Sequence, residues 1–263
     1  MILDELAAAT RERIAKDKEK VSPKELLGKV DALMEKTLDS ETFAFEKALR
    51  QPGLSVISEV KKASPSKGVI AGDFPYMEIA KEYEASGADA ISCLTEPGRF
   101  LGNDRYLREI AKEVGIPVLR KDFTVDPYMI YQAKEMGASA VLLIAAILSD
   151  AELKEFFHTA DGLGLSCLFE AHDEREVDRC LLAGARVLGV NNRNLKDFSV
   201  DVRNSVRLRE MVPKEVCFVS ESGIKKPEDV KILKENGTDA VLIGEMLMRS
   251  DKKGELIKNL KEI

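Results

Sequence analysis

Residues 234–244, "KENGTDAVLIG", run a helix end, a glycine turn and a strand together in one short stretch. The chain repeats the phrase as "EASGADAISCL" (84–94), "KEMGASAVLLI" (134–144) and "LLAGARVLGVN" (181–191). In each, a polar helical pattern stops at a glycine suited to the left-handed C′ position, and an aliphatic run of strand length follows. Between them lie "IPVLR" (116–120), "LSCLFE" (165–170) and "VCFVSE" (216–221), with "LSVISEV" (54–60) at the front. Eight strands are expected, near 55–60, 89–94, 116–120, 140–145, 165–169, 187–191, 216–220 and 240–243. Amphipathic stretches such as "PYMEIAKEYEA" (75–85) and "KPEDVKILKE" (226–235) separate them. Strands alternating with helices of this length imply parallel βαβ units, and eight such units imply a closed (β/α)8 TIM barrel. A Rossmann-like open sheet is the weaker alternative, because no Gly-x-Gly-x-x-Gly follows the first strand. The glycines of "DGLGLS" (161–166) belong to a helix-to-strand connection.

About fifty residues precede the first strand. "SPKELLGKV" (22–30) predicts a helix with Ser22 as N-cap, Pro23 in the first turn and Glu25 completing a capping box. No linker interrupts the chain. Residues 1–263 are expected to form one barrel domain, with 1–50 as a helical extension covering the C-terminal, active-site end of the barrel.

Composition narrows the function classes. The chain has 263 residues, 44% hydrophobic and 33% charged, with a net charge of −6. That supports a large core and gives no overall basic field for nucleic acid or an anionic membrane. The apolar run "AVLLIAAIL" (140–148) is too short to span a bilayer, and "MILDELAAAT" (1–10) carries Asp4 and Glu5 where a signal peptide is basic. A cytoplasmic protein is expected. Cys93, Cys167, Cys180 and Cys217 show no paired spacing and read as reduced, buried thiols. His158 and His172 are too few and too separated for a typical zinc site, so no metal is expected.

Active sites in this fold lie at the C-terminal strand ends, so a charge closing an apolar strand is informative. Glu59 and Lys61 share one face of the first strand, because strand side chains alternate. Lys121 closes the third, Glu170 the fifth, Asn191 the sixth, and Glu221 with Ser222 the seventh. Any one alone reads as a solvated rim residue or half of a structural ion pair. Together they imply a shared function, since burying several unused charges is costly. "SESGI" (220–224) and "LIGEML" (242–247) offer Ser222, Gly223, Gly244 and Glu245 in the loops that cradle phosphate in this fold. With Arg193 and Ser64 of "SPSKG" (64–68) they favour a phosphomonoester, although the Glu245 carboxylate would have to turn outward. Phe100 and Phe123 could bracket a ring. His172 is expected at the surface, and His158 in a helix without a catalytic role.

The series "SEVKKASPSKG" (58–68), "LRKDF" (119–123), "LFEAH" (168–172), "GVNNRNL" (189–195), "SESGI" and "LIGEMLM" (242–248) closely resembles the indole-3-glycerol phosphate synthase family of tryptophan biosynthesis. The resemblance implies a carboxy-lyase that closes the pyrrole ring of 1-(2-carboxyphenylamino)-1-deoxyribulose 5-phosphate, losing carbon dioxide and water, with no metal or organic cofactor. It assigns Lys121 as general acid toward the ribulose carbonyl, with Lys61 holding the substrate carboxylate and able to share or replace that role. Glu170 would be the base in the dehydration. Glu59 and Asn191 would orient hydroxyls and lysines, with Glu221 in support and Ser222 among the working residues. Ser64, Arg193, Ser222, Gly223, Gly244 and Glu245 match the phosphate site, and Phe100 and Phe123 would contact the anthranilate ring. A monomer acting on a small phosphorylated molecule is expected, with other tryptophan-pathway enzymes as candidate partners. One departure is "GDFPYMEIA" (72–80), where Pro75-Tyr76 replaces a frequent Asp-Pro pair; altered loop stiffness is expected there.

A lysine acid should have its acidity brought toward neutral by burial or a second lysine, and a carboxylate base should be shifted up. Glu59 opposes that trend for the lysines. Two other readings remain: a Schiff-base lyase or aldolase with Lys121 as nucleophile, and a catalytically silent barrel that binds sugar phosphates.

Overall fold

A computed structural model describes residues 2–36, 42–194 and 198–263. Residues 37–41 of the extension and Leu195 of "GVNNRNL" lie outside them. Eight strands, β1 (Ser55–Val60), β2 (Ala90–Leu94), β3 (Val118–Lys121), β4 (Ala140–Ile144), β5 (Ser166–Ala171), β6 (Val187–Asn191), β7 (Cys217–Glu221) and β8 (Ala240–Ile243), form a closed barrel. Every neighbouring pair is parallel, and β1 closes the ring by pairing with both β2 and β8. This is the expected (β/α)8 architecture. The third strand starts at Val118, just past Pro117, which has no N–H to give a ladder. The third, fifth and seventh strands run on through Lys121, Ala171 and Glu221, so their charged residues lie inside the ladder.

The repeated glycines behave as their position in the phrase demands. Gly87, Gly137, Gly184 and Gly237 have φ of 89°, 87°, 97° and 83°. A side chain in that region would strain the turn that feeds each even-numbered strand.

Period-two alternation divides the aliphatic residues into two sets. Val56, Ile91, Val141, Phe169, Leu188, Phe218 and Val241 face the helical ring, and Ile57, Ala90, Leu119, Leu142, Leu168, Val187, Val219 and Leu242 fill the barrel. The last inward position of each odd strand is charged: Glu59, Lys121, Glu170 and Glu221. On the even strands the matching positions are Leu94, Ile144, Asn191 and Leu242.

The N-terminal extension divides between three places, so the expectation that it covers the active-site end holds only for its first helix. Helix α1 (Ile2–Lys20) lies across the mouth, with Ile2, Leu3 and Leu6 facing the cavity there. Arg13 of α1 bonds both oxygens of the buried Asp122 at 2.9 and 2.8 Å, and Lys18 reaches Asp126 at 2.6 Å. Asp122 also accepts from Thr95 Oγ1 and the Phe123 amide, so its charge is satisfied on all sides. Helix α2 (Pro23–Met34) packs Leu26 with Tyr128 and Met129, on the flank of the barrel. Ser22 caps it by accepting from the Glu25 amide at 3.2 Å, while the Glu25 carboxylate pairs forward with Lys29 at 2.8 Å instead of closing the capping box. Helix α3 (Ala44–Leu49) plugs the opposite end. Its Glu46 amide donates to Ser166 Oγ at the start of β5, and Leu49 accepts from Ser55 Oγ at the start of β1. Phe45 and Leu49 are buried against the inward residues of the barrel floor.

Among the described residues, seven further α-helices surround the strands between Tyr76 and Glu235: α4 (Tyr76–Ala85), α5 (Asp104–Glu113), α6 (Pro127–Glu135), α7 (Asp150–Gly162), α8 (Glu174–Ala183), α9 (Arg203–Arg209) and α10 (Pro227–Glu235). Helices α11 (Glu245–Arg249) and α12 (Lys253–Glu262) complete the chain. At the Pro75-Tyr76 departure, Tyr76 stacks on Tyr106 of α5 at 4.3 Å between ring centroids, with Phe74 edge-on to Tyr106 at 5.5 Å. An aromatic clasp therefore fixes the start of α4. All four cysteines are free and buried. Among the described residues, no helix is long and apolar enough to cross a membrane.

Phe45 fills the barrel floor, far from the mouth. Phe45→Ala should lower unfolding stability by about 3–5 kcal/mol, the range for emptying a buried aromatic site. Urea denaturation measures it, and the folded fraction should keep its turnover.

Candidate active site

The C-terminal strand ends enclose a cavity of about 990 Å³. The residues singled out from the sequence all line it. Glu59, Lys61, Lys121, Glu170, Asn191 and Glu221 form its floor; Ser64, Arg193, Ser222, Gly223, Gly244 and Glu245 ring its rim; Phe100 and Phe123 stand on one side. Ile2, Leu3 and Leu6, contributed by α1, were not anticipated, nor were Leu142 and Ile144 of β4 or Lys225 and Lys226 after β7. The apolar start of α1 carries no local signal that it crosses a barrel mouth.

The floor is a network of alternating charge. Lys121 Nζ lies 2.8 Å from Glu170 Oε2 and 3.3 Å from Glu221 Oε2. Asn191 Nδ2 donates to Glu170 Oε1 at 3.1 Å. Lys61 Nζ bonds Glu59 Oε1. Glycines make the room: a Cβ on Gly189 of β6 would collide with Glu221 Oε1, and one on Gly244 would collide with Glu59 Oε1 and lie 2.8 Å from Lys61 Nζ. Gly244 therefore first serves the Glu59–Lys61 pair.

This arrangement decides net shifts that the sequence leaves open, and the pull of the carboxylates on Lys121 prevails. Burial opposes the Lys121 ammonium, but Glu170, Glu221 and Glu59 outweigh it and raise its pKa above the ordinary lysine value. Burial pushes Glu170 up, yet Lys121, His172 and Asn191 prevail and hold it near about 2. Glu221 takes the upward shift. Burial, with Glu170 and Glu59 adding to it, brings it to about 7 against the pull of Lys121. The physical reason is number: Glu170 and Glu221 both lie against Lys121, and Glu59, itself bonded to Lys61, adds its field.

Phe100 and Phe123 have ring centroids 6.2 Å apart, tilted by 46°. At that spacing the rings touch each other and form one apolar wall, where the sequence reading had a bracket. Glu96 holds the loop beneath Phe100 by accepting from the amides of Gly98, Arg99 and Phe100 at 2.6 to 2.9 Å.

At the rim, Ser222 and Gly223 are successive left-handed residues with φ of 63° and 85°. For Ser222 this is a strained conformation. The buried Asn192 secures it, donating from Nδ2 to Ser220 Oγ, Glu221 O and Ser222 O at 2.9 to 3.1 Å. Its Oδ1 in turn accepts from the Ser205 amide and hydroxyl at 2.9 Å. Ser64 sits in a short antiparallel pairing of Ala63–Ser64 with Gly68–Val69, which folds the loop after β1 over the cavity. The Glu245 carboxylate is drawn to Arg249 at 3.1 Å and Lys67 at 3.8 Å, so cations answer its charge. Arg193 anchors through its amide to Asn191 Oδ1 at 3.0 Å and its guanidinium to Phe198 O at 3.2 Å.

His172 corrects a sequence expectation, since it is mostly buried behind Glu170. His158 lies exposed on α7, as expected. No cluster of His, Cys, Asp and Glu among the described residues has the arrangement of a metal site.

Among solved structures, 3-hexulose-6-phosphate synthase from Salmonella typhimurium aligns with a TM-score of 0.66 at 13% identity, covering 80% of this chain and 97% of that one. Thiamine phosphate pyrophosphorylase from Pyrococcus furiosus aligns with a TM-score of 0.59 at 17% identity, covering 83% and 96%. At these identities they share the barrel alone. Sequence relatives are far nearer. Proteins named indole-3-glycerol phosphate synthase from Ruminiclostridium cellulolyticum and Endomicrobium trichonymphae are each 55% identical, covering 99% or more of this chain and of the relative. One from Acetivibrio thermocellus is 46% identical over the full length of both chains. The family model described as indole-3-glycerol phosphate synthase matches residues 3–260. A full-length match of that kind, on a barrel whose mouth gathers every motif of the series, has one meaning: the chain belongs to the indole-3-glycerol phosphate synthase family.

Proposed function

We propose that the protein closes the indole ring of 1-(2-carboxyphenylamino)-1-deoxyribulose 5-phosphate, releasing carbon dioxide and water, as its family membership supports. The observation that carries the residue roles is the position of Lys121, an ammonium held between Glu170 and Glu221 at the floor of the cavity. Lys121 donates a proton to the ribulose carbonyl oxygen while the carboxylate-bearing aryl carbon attacks, and carbon dioxide then leaves. Glu170 then takes a proton from the methylene carbon beside the nitrogen as the carbon–oxygen bond of the new hydroxyl breaks, and the hydroxyl takes a proton from the Lys61 ammonium and leaves as water.

The geometry couples these steps in order. Glu170 is a weak base while Lys121 is charged beside it. Once Lys121 has given up its proton, Glu170 loses its nearest cation and becomes the stronger base that the dehydration needs. Lys61 keeps further N–H donors beyond its bond to Glu59, enough to hold the substrate carboxylate. Glu59, Asn191 and Glu221 keep the amines and Glu170 in place. The wall of Phe100 and Phe123 suits the anthranilate ring. Ser64, Arg193 and the two turns at Ser222–Gly223 and Gly244–Glu245 take the phosphate, and glycine there lets backbone amides approach. A cytoplasmic setting accords with the four free thiols.

The chain contains no tryptophan, so indole fluorescence that grows during turnover comes from product. Its absence at micromolar enzyme, with substrate shown to be bound, would overturn this reading and leave the Schiff-base enzyme and the silent barrel. Lys121→Ala and Glu170→Gln should each lower kcat by about a hundred-fold or more while circular dichroism stays unchanged. Near-normal turnover in both would remove the assigned roles. Borohydride with substrate should trap no adduct on Lys121, because a lysine held as the ammonium is a poor nucleophile; a trapped adduct would point to Schiff-base chemistry. Gly189→Ala forces Glu221 away from Lys121 and should depress kcat by about ten-fold or more, read in the same fluorescence assay.

A further inference from the structure

His172 belongs to none of the roles above, and its surroundings are unlike those of a surface residue. The strand β5 ends at Ala171, and the chain then turns so that the imidazole folds back behind Glu170. The ring and its backbone are held separately. His172 N and Nδ1 both reach Glu176 Oε2 of α8, at 2.8 and 2.9 Å, and Asn204 Nδ2 of α9 donates to His172 O at 3.1 Å. An ionised carboxylate oxygen only accepts, so Nδ1 carries a hydrogen.

That leaves Nε2. It is buried, has no hydrogen-bond partner, and lies 3.5 Å from Glu170 Oε1. A bare nitrogen lone pair would face a carboxylate oxygen there and repel it. A proton on Nε2 turns the same contact into an attraction. We infer that His172 is a positioning residue, an imidazolium oriented by Glu176 that holds the Oε1 edge of Glu170 while Oε2 stays aimed at Lys121 and the cavity.

The charged groups around the ring agree. Carboxylates face it from three elements, Glu170 on β5, Glu176 on α8 and Glu221 on β7, while the Lys121 ammonium of β3 is directed to the other oxygen of Glu170. Burial works against the imidazolium, but these carboxylates outweigh it and raise the His172 pKa above the ordinary value. In the proposed reaction, on whose reading the catalytic part of this inference rests, His172 keeps Glu170 ionised and in place after Lys121 has lost its charge. Above the His172 pKa the lone pair returns, Oε1 is repelled, and kcat falls with loss of one proton.

The chain has two histidines, so imidazole NMR resolves the question directly, the His172 signals being those lost in His172→Gln. His172 should titrate above the ordinary imidazole value of about 6.5, and Glu176→Gln should lower its midpoint. In the fluorescence assay the basic limb of kcat should fall at the same pH as the His172 midpoint. His172→Gln should lack that limb and show kcat reduced by about ten- to a hundred-fold with KM little changed. Titration of His172 at or below the ordinary imidazole value overturns the inference, as does a His172→Gln enzyme with native kcat and an intact basic limb. If His172→Gln does not fold, the titrations of the native protein and of Glu176→Gln still decide it. A native protein that forms no indole product overturns the proposed function instead, and leaves the NMR titration to decide the state of His172.

Discussion

Four charged side chains, Glu59, Lys121, Glu170 and Glu221, occupy the last inward position of the four odd strands, where the barrel leaves little water to solvate them. Unpaired, each would carry a desolvation cost of several kcal/mol. The structure meets this constraint by placing lysine amines among the carboxylates and by removing side chains that would crowd them. Gly189 gives Glu221 its space, and Gly244 does the same for Glu59 and Lys61. The arrangement of the mouth follows from that need to pair charges in a confined place.

The same constraint explains why the floor is chemically poised. With Glu170 and Glu221 both against Lys121 and Glu59 paired to Lys61, three carboxylates share two ammonium groups, and the charges cannot all be satisfied equally. Glu170 is pushed down and Glu221 up to about 7, and Lys121 remains charged. In the proposed reaction, a proton leaving Lys121 removes the cation that holds Glu170 down, so the acid step prepares the later base step.

Helices outside the barrel set the cavity's boundaries. Arg13 and Lys18 fasten α1 to Asp122 and Asp126, so the apolar start of that helix roofs the mouth. At the other end of the barrel, away from the cavity, Phe45 and Leu49 of α3 plug the strand starts. One helix therefore shapes the reaction space while another supplies stability, although both come from the same fifty-residue extension. Asn192 extends this division of labour to the rim, where it holds Ser222 in a conformation that its backbone alone would resist.

Much of this was legible along the chain because it depends on local rules. A glycine at the C′ position before an aliphatic run marks a helix-to-strand turn wherever it occurs, and eight strands with helices between them admit few closures. A charge closing an apolar strand marks Lys121, Glu170 and Glu221 as residues of the mouth, and alternation along the first strand puts Glu59 and Lys61 on one face. What needed the tertiary structure were the properties that depend on distance between remote residues. Whether a lysine is acidified or stabilised depends on how many carboxylates approach it, and no spacing in the chain encodes that number. His172 reads as surface in sequence because its burial comes from α8 and α9 closing over the end of β5. Likewise α1 and α3 are both amphipathic or apolar segments in sequence, and only long-range partners, Asp122 for one and Ser166 for the other, send them to opposite ends of the barrel.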